Sequence, residues 1–329
     1  MEIGKVPNSL LEELIAGIEN RPEVLVGTKI GKDTSILDLK DRLLVVSTDP
    51  ITGATKDIGS LAINVAVNDL ATEGAEPLGA MLTILLPANT TEAYLRKLME
   101  DAKEAARKIN LSLIGGHTEI TDAVTRPVVS TTVFGTIQGP YQEEKVETND
   151  LVVVTKNLGL EGTAILAKEK EDQVKSFLTA EEYAEAISYG DQTSVVTEGR
   201  ILKAAGAKYM HDITEGGILG AAWEAAKAND IGLVVFDDSF PLSPVTEKIS
   251  KKYSIDYRRL ISSGSMLAII SQKDFIKALD HLQAEKIKAT VIGRVTDSKG
   301  AYLRQDGKVV PLGQPKADEL YTALARNLY

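Results

Sequence analysis

The sequence predicts a two-domain protein that combines α/β and α+β layers, and three observations carry that prediction. Short β-branched runs alternate with helix-period segments along the whole chain, and most of the strands run into glycine-bearing loops. Between the halves, Gln138–Asp150 (QGPYQEEKVETND) loses apolar periodicity and gains Gly, Pro and acid. At 329 residues the chain fits two domains of about 150 residues each, expected at 1–150 and 151–329.

In the first half, Asn8–Ile18 places Leu10, Leu11, Leu14 and Ile18 on one helical face. The segment VLVGTKIGKDTSIL follows, punctuated by Gly27 and Gly31 and carrying Lys29, Lys32 and Asp33. Two readings stand for it: a loop folded over a nucleotide's phosphates, or an exposed loop. Leu43–Ser47 reads as a buried strand that delivers Thr48 and Asp49 to its carboxyl end. Ile58–Ala71 reads as a buried helix that Asp57 can cap, with Ile58, Leu61, Ala62 and Val65 at helical spacing. Met81–Leu86 reads as a strand stopped by Pro87, and Thr91–Ile109 as an amphipathic helix whose Leu95, Leu98, Met99, Ala102, Ala105, Ala106 and Ile109 face the core. A short strand, Leu111–Ile114, is expected to end in the loop Gly115-Gly116-His117-Thr118-Glu119, where two glycines let the backbone approach a ligand. His117 is then either a satisfied loop histidine or a ligand contact. Val128–Phe134 completes the sheet.

The second half restarts with a strand, Leu151–Thr155, and a glycine-bearing loop, Lys156–Thr163. Helices are expected near Ala180–Tyr189 and Gln192–Ala204. The stretch Met210–Gly217 (MHDITEGG) leads into a helix, Ile218–Ala228, so Thr214, Glu215, Gly216 and Gly217 would form an anion site at a helix N-terminus. Ser262–Ser265 precedes a strand, Met266–Ile270. A helix over Lys273–Glu285, a strand over Thr290–Val295, a hairpin near Gly307 and a helix from about Ala317 complete the chain.

Composition narrows the function. A net charge of -10 with no Lys/Arg-rich stripe argues against nucleic acid and anionic membranes, and no apolar run approaches the ~20 residues of a membrane helix. The N-terminus lacks a signal-peptide pattern, which places the protein in the cytoplasm. The absence of cysteine excludes a thiol nucleophile, and three histidines make a zinc cluster a poor fit.

The acids of the first half pose the chemical question. The helix Ile58–Ala71 is apolar on nearly all sides, yet it carries Asn64, Asn68 and Asp69, and no Lys or Arg occurs from Asp57 to Pro77. A buried carboxylate needs donors, a cation or a metal. With Asp49 on the neighbouring strand, Asn68 and Asp69 read either as oxygen ligands of a hard cation, Mg2+ when phosphate is also bound, or as residues that cap and pair within the fold.

Five motifs in order, STD (Ser47–Asp49), NDLATEGAEP (Asn68–Pro77), GGHTE (Gly115–Glu119), HDITEGG (His211–Gly217) and SSGSML (Ser262–Leu267), resemble the aminoimidazole ribonucleotide (AIR) synthase superfamily over nearly the whole chain. The resemblance is closest to its hydrogenase maturation branch, HypE. GKDTSIL (Gly31–Leu37) is similar to that branch's first nucleotide motif, with one acid, Asp33, where two are usual.

The resemblance implies a two-domain AIR-synthase-like fold: an N-terminal α/β domain whose strands form a β-barrel in a homodimer, and a C-terminal α+β domain. It implies ATP held with Mg2+ in the cleft between them and phosphorylation of an amide-type or carbonyl oxygen. Asp33, Asp49 and Asp69 are the implied metal ligands. Lys32, Asp33, Asp49, Asn68, Gly115, Gly116, Thr214 and Gly216 are the implied nucleotide contacts, and His117, Glu119, Asp212 and Glu215 the implied catalytic groups. HypE proteins act on a cysteine at their own C-terminus, whereas this chain ends Ala-Arg-Asn-Leu-Tyr and contains no cysteine. The expected acceptor is therefore a separate small molecule or a partner's residue, with a maturation-complex protein as a further expected partner. A catalytically retired nucleotide-binding subunit, or another small-molecule kinase of the superfamily, is the alternative.

Overall fold

A computed structural model describes residues 24–26, 31–32, 34–38 and 42–327. The helix expected at Asn8–Ile18 and the acid Asp33 lie outside the described residues. The chain divides into two compact units: Thr34–Tyr141 with Asn20–Gly27, and Gln142–Tyr329 with Met1–Glu19 and Thr28–Asp33.

In the first unit, strands β1 (Val24–Val26), β2 (Ser35–Asp38), β3 (Leu43–Ile51), β4 (Glu76–Pro87), β5 (Ser112–Thr121) and β6 (Val128–Ile137) form one sheet in the order β1-β2-β3-β6-β4-β5. All pairs are antiparallel except β4 with β5. Helix α1 (Ile58–Thr72) is buried almost throughout, as its apolar run predicts, and it packs on β3 and β6. Asp57 precedes it with a left-handed backbone, φ 55°, and makes no side-chain cap, contrary to expectation. Helix α2 (Glu92–Lys108) covers α1 with Leu98, Ala102, Ala105 and Ala106. Its start is fixed by Thr91, whose hydroxyl accepts from Tyr94 N–H at 3.2 Å.

Two expectations change. Strand β3 runs on to Ile51, so Thr48 and Asp49 lie inside the strand rather than past its end. Strand β5 runs through Gly115–Glu119, so GGHTE is not a loop. In this strand order Met81–Leu86 and Val128–Phe134 lie in interior strands, and β1 and β5 are the edges.

The second unit holds a seven-stranded sheet in the order β13-β12-β9-β11-β7-β10-β8. Its strands are β7 (Leu151–Thr155), β8 (Tyr209–Asp212), β9 (Gly232–Phe236), β10 (Met266–Ile270), β11 (Ala289–Thr296), β12 (Gly300–Gln305) and β13 (Lys308–Pro311). The helices are α3 (Leu160–Glu169), α4 (Glu171–Lys175), α5 (Ala180–Ser188), α6 (Val196–Ala205), α7 (Gly217–Asn229), α8 (Pro244–Tyr253), α9 (Gln272–Ala284) and α10 (Glu319–Ala325). The core forms where Ile218, Leu219, Ala222 and Ala225 of α7 meet Val152, Val154, Leu233, Val235, Leu267 and Ile269 of the sheet. Small residues on α7 let helix and sheet approach closely. Because β10 is antiparallel to both β7 and β8, the loops Asn157–Gly162, Thr214–Gly217 and Ser262–Ser265 meet at one end of the sheet. No helix among the described residues is long and apolar enough to cross a membrane.

Candidate functional site

In the first unit the acids cluster where α1 lies on β3. Leu43, Val45, Ser47, Asp49 and Ile51 alternate onto the face that α1 covers, so Ser47 and Asp49 point to the same side, two residues apart. Asp69, 2% exposed, accepts a hydrogen bond from the Ser47 hydroxyl, and its main-chain carbonyl accepts from Thr72 Oγ1 at 2.6 Å. Asn68 beside it is wholly buried. At the end of α1, buried Glu73 accepts from Thr34 Oγ1 at 3.3 Å, which ties the GKDTSIL stretch to the end of the helix.

Sequence reasoning passed over Thr131. It sits directly across the β3–β6 ladder from Asp49, is wholly buried between Val129 and Val133, and its hydroxyl has no hydrogen-bond partner among the described residues. The signal was a threonine on the buried phase of a strand that alternates with valine.

These donors fit Mg2+ only as Mg2+ is usually held, by one or two carboxylates together with substrate phosphates. Among the described residues no group of three or more His, Asp or Glu could hold a metal ion alone. Asp49, Asp69 and the Asn68 amide would supply the protein's share.

His117 and Glu119 stand apart from this cluster. Their strand is separated from β3 by β4 and β6, a lateral distance of about 14 Å at ~4.8 Å per strand. Both side chains are exposed, 67% and 52%, with His117 Nε2 3.6 Å from Glu119 Oε2. Gly116 serves the sheet: at φ 145° a Cβ there would lie 2.0 Å from the Leu82 carbonyl of β4. No side chain fits between those two parallel strands.

In the second unit Asp212 is wholly buried at the end of β8, and Thr214 and Glu215 are half-buried. The anion site expected at the start of α7 already holds a carboxylate. Asp318 Oδ2 accepts from Gly216 N–H at 2.8 Å, and Oδ1 accepts from Leu320 N–H at 2.8 Å. Burial pushes the Asp318 carboxyl up to about 7 against the pull of those N–H donors. Glu161, at the start of α3, is pushed up to about 8 by burial; the adjacent Ser263 opposes the shift, while the charges of Glu215 and Asp318 add to it. Its Oε2 has no hydrogen-bond partner among the described residues. Neither acid stands out in the sequence, because the neighbours that shift it come from distant parts of the chain.

Two family models match: AIR synthase related protein, N-terminal domain, over residues 31–137, and AIR synthase related protein, C-terminal domain, over residues 147–306. Among curated relatives, a candidate hydrogenase expression/formation protein of Methanocaldococcus jannaschii is 27% identical, covering 95% of this chain and 96% of its own. A carbamoyl dehydratase HypE of Rhodobacter capsulatus is 26% identical over 92% and 89%, and a thiamine-monophosphate kinase of Pyrococcus abyssi 23% identical over 86% and 88%. Among solved structures, a HypE–HypF complex aligns with a TM-score of 0.76 at 21% identity, covering 93% of this chain and 100% of that chain. A HypE structure in complex with ATP aligns with a TM-score of 0.72 at 19% identity, covering 94% and 96%.

Proposed function

Because the chain belongs to the AIR synthase-related family, with the two-domain fold of HypE, we propose that it is an ATP-dependent enzyme that phosphorylates an amide-type or carbonyl oxygen on a separate acceptor. The observation that carries the reading is Asp69, buried on α1 with the Ser47 hydroxyl as donor and Asp49 on the same face of β3. The segment from Asp57 to Pro77 carries no Lys or Arg. The HypE relatives and the HypE structure with ATP support the nucleotide.

In this reaction the γ-phosphoryl group moves from ATP to the acceptor oxygen, ADP leaves, and an amide acceptor gives up an N–H proton. Asp49 and Asp69 would hold the magnesium that accompanies ATP, and the metal would supply charge neutralisation at the phosphates. Asn68 orients the ligands through its amide. Lys32 and Thr214 are the nucleotide contacts we assign to the second unit; the Gly216 N–H is spent on Asp318, and Gly116 on the close approach of β5 to Leu82. Asp212 and Glu215 are the groups we assign to the acceptor's proton; His117 and Glu119, exposed on β5 and three strands away from β3, lie too far from Asp49 and Asp69 to share a step with them. We assign residues 1–150 to an ATP- and metal-binding and dimerisation domain and residues 151–329 to a C-terminal α+β domain. A protein partner in hydrogenase maturation is proposed by analogy with the HypE–HypF complex.

The test is release of ADP by the purified chain across a panel of amides, carbamoylated peptides and phosphate-bearing alcohols. Turnover with an amide-type acceptor supports the reading. Turnover with an alcohol alone would make the protein a kinase of the family, and ATP binding with no turnover would favour a retired binding subunit.

A further inference from the structure

Gly31 and Lys32 are grouped with the unit of Gln142–Tyr329, although Val24–Val26 before them and Thr34 after them belong to the other unit. What holds them is specific. Tyr209 Oη donates to the Gly31 carbonyl at 2.9 Å, a bond between residues 178 apart in sequence. The Gly31 main chain lies flat on α7: at φ 74°, a Cβ there would sit 2.8 Å from the Glu224 carbonyl oxygen and 3.1 Å from Ala228 Cβ. Glu224 and Ala228 are one turn apart and form a shelf that only glycine can cross in this conformation.

The shelf is itself fixed from below. Tyr209 and His211 are on the same phase of β8, with ring centroids 6.3 Å apart. His211 Nε2 lies 3.0 Å from Glu224 Oε2, and both side chains are buried. The residue whose carbonyl supports Gly31 is therefore locked by its own carboxylate to the strand that carries Tyr209. His211 is spent on this seat, which explains its place in the HDITEGG stretch without a ligand role.

We propose that Tyr209 is a positioning residue: through its bond to the Gly31 carbonyl and the His211–Glu224 shelf, it fixes the Gly31–Lys32 turn and so sets where Lys32 meets the phosphates of ATP. This rests on the reading of Gly31–Leu37 as a nucleotide-contacting segment. The tyrosine hydroxyl touches no substrate; it acts on the path of the main chain.

The experiment compares wild-type full-length chain, Tyr209→Phe and, as a control, Tyr302→Phe, whose hydroxyl donates to the Lys299 carbonyl in a hairpin of the same unit. Binding of ATP and of AMP is measured with Mg2+ present, alongside amide hydrogen exchange of the peptide containing Gly31 and Lys32. Tyr209→Phe should weaken ATP roughly tenfold, the size of one hydrogen bond's contribution, leave AMP within about twofold, and speed exchange at Gly31–Lys32, while Tyr302→Phe changes none of these. Wild-type binding of ATP with unchanged affinity in Tyr209→Phe overturns the positioning role alone. Equal weakening of ATP and AMP, or unchanged exchange, also overturns it. Failure of the wild-type chain to bind ATP at all overturns the nucleotide reading together with the inference built on it.

Discussion

The Ser47 hydroxyl donates to Asp69 Oδ2, and this one bond joins the STD stretch of β3 to the NDLATEG stretch of α1. Asp69 is 2% exposed, and Ser47 supplies one of its donors. Ser47→Ala should therefore lower stability by about 1–3 kcal/mol, because it removes a donor from a buried carboxylate. Asp69→Asn should be neutral or raise the melting temperature, because it removes the charge itself. Denaturant titration of both variants measures the pair. A loss of several kcal/mol in Asp69→Asn would make Asp69 a structural residue.

Thr131→Val should stabilise the protein by about 1 kcal/mol, since valine keeps the volume and removes a buried hydroxyl that has no hydrogen-bond partner among the described residues. Thermal unfolding without ligand is the measurement. Destabilisation of Thr131→Val would mean that the hydroxyl is bonded in solution, most directly to Asp49 opposite.

Stability should fall between pH 5 and pH 8. The carboxyls of Glu161 and Asp318 rise from 4.5 to about 8 and from 3.8 to about 7 on folding, both chiefly through burial. Between the unfolded and folded values the folded chain carries the extra protons, so stability is full below the unfolded value and is lost as pH rises through the folded one. Glu161→Gln should flatten the slope and be more stable than wild type at pH 8, with little difference near pH 4.5. A wild-type melting temperature that climbs from pH 5 to pH 8, unchanged by Glu161→Gln, contradicts this.

The chain should form a homodimer through β5. This edge strand leaves Ile114 and Ile120 exposed, with Leu78 and Met81 exposed on the adjacent β4. Ile114→Lys combined with Ile120→Lys should yield monomers by light scattering, with little change in monomer stability because both sites are exposed. A monomeric wild-type chain at micromolar concentration rules the dimer out.

What the sequence disclosed followed from local apolar pattern. The amphipathic α2 was readable from its helical period, and the buried helix α1 and the strand Met266–Ile270 from continuous apolar runs of the right length. The continuation of β3 through Thr48–Ile51 and of β5 through Gly115–Glu119 was not, because cross-strand pairing holds polar and glycine residues in strands that propensity would end. Asp318 capping Gly216, 102 residues away, and Thr131 facing Asp49 are products of topology, which no local spacing encodes. Asp49 and Asp69 stand out in the sequence as acids in an apolar segment, whereas Ser47, the hydroxyl partner of Asp69, was seen only as part of a motif.

The central claim is that ATP binds with a metal at the Asp49–Asp69 cluster, and titration calorimetry with ATP in Mg2+ and in EDTA tests it most directly. Wild-type chain should bind ATP at least tenfold more tightly with Mg2+, and Asp69→Asn should lose that difference while remaining folded. Equal affinity in Mg2+ and EDTA, or an undiminished Mg2+ effect in Asp69→Asn, would contradict the account.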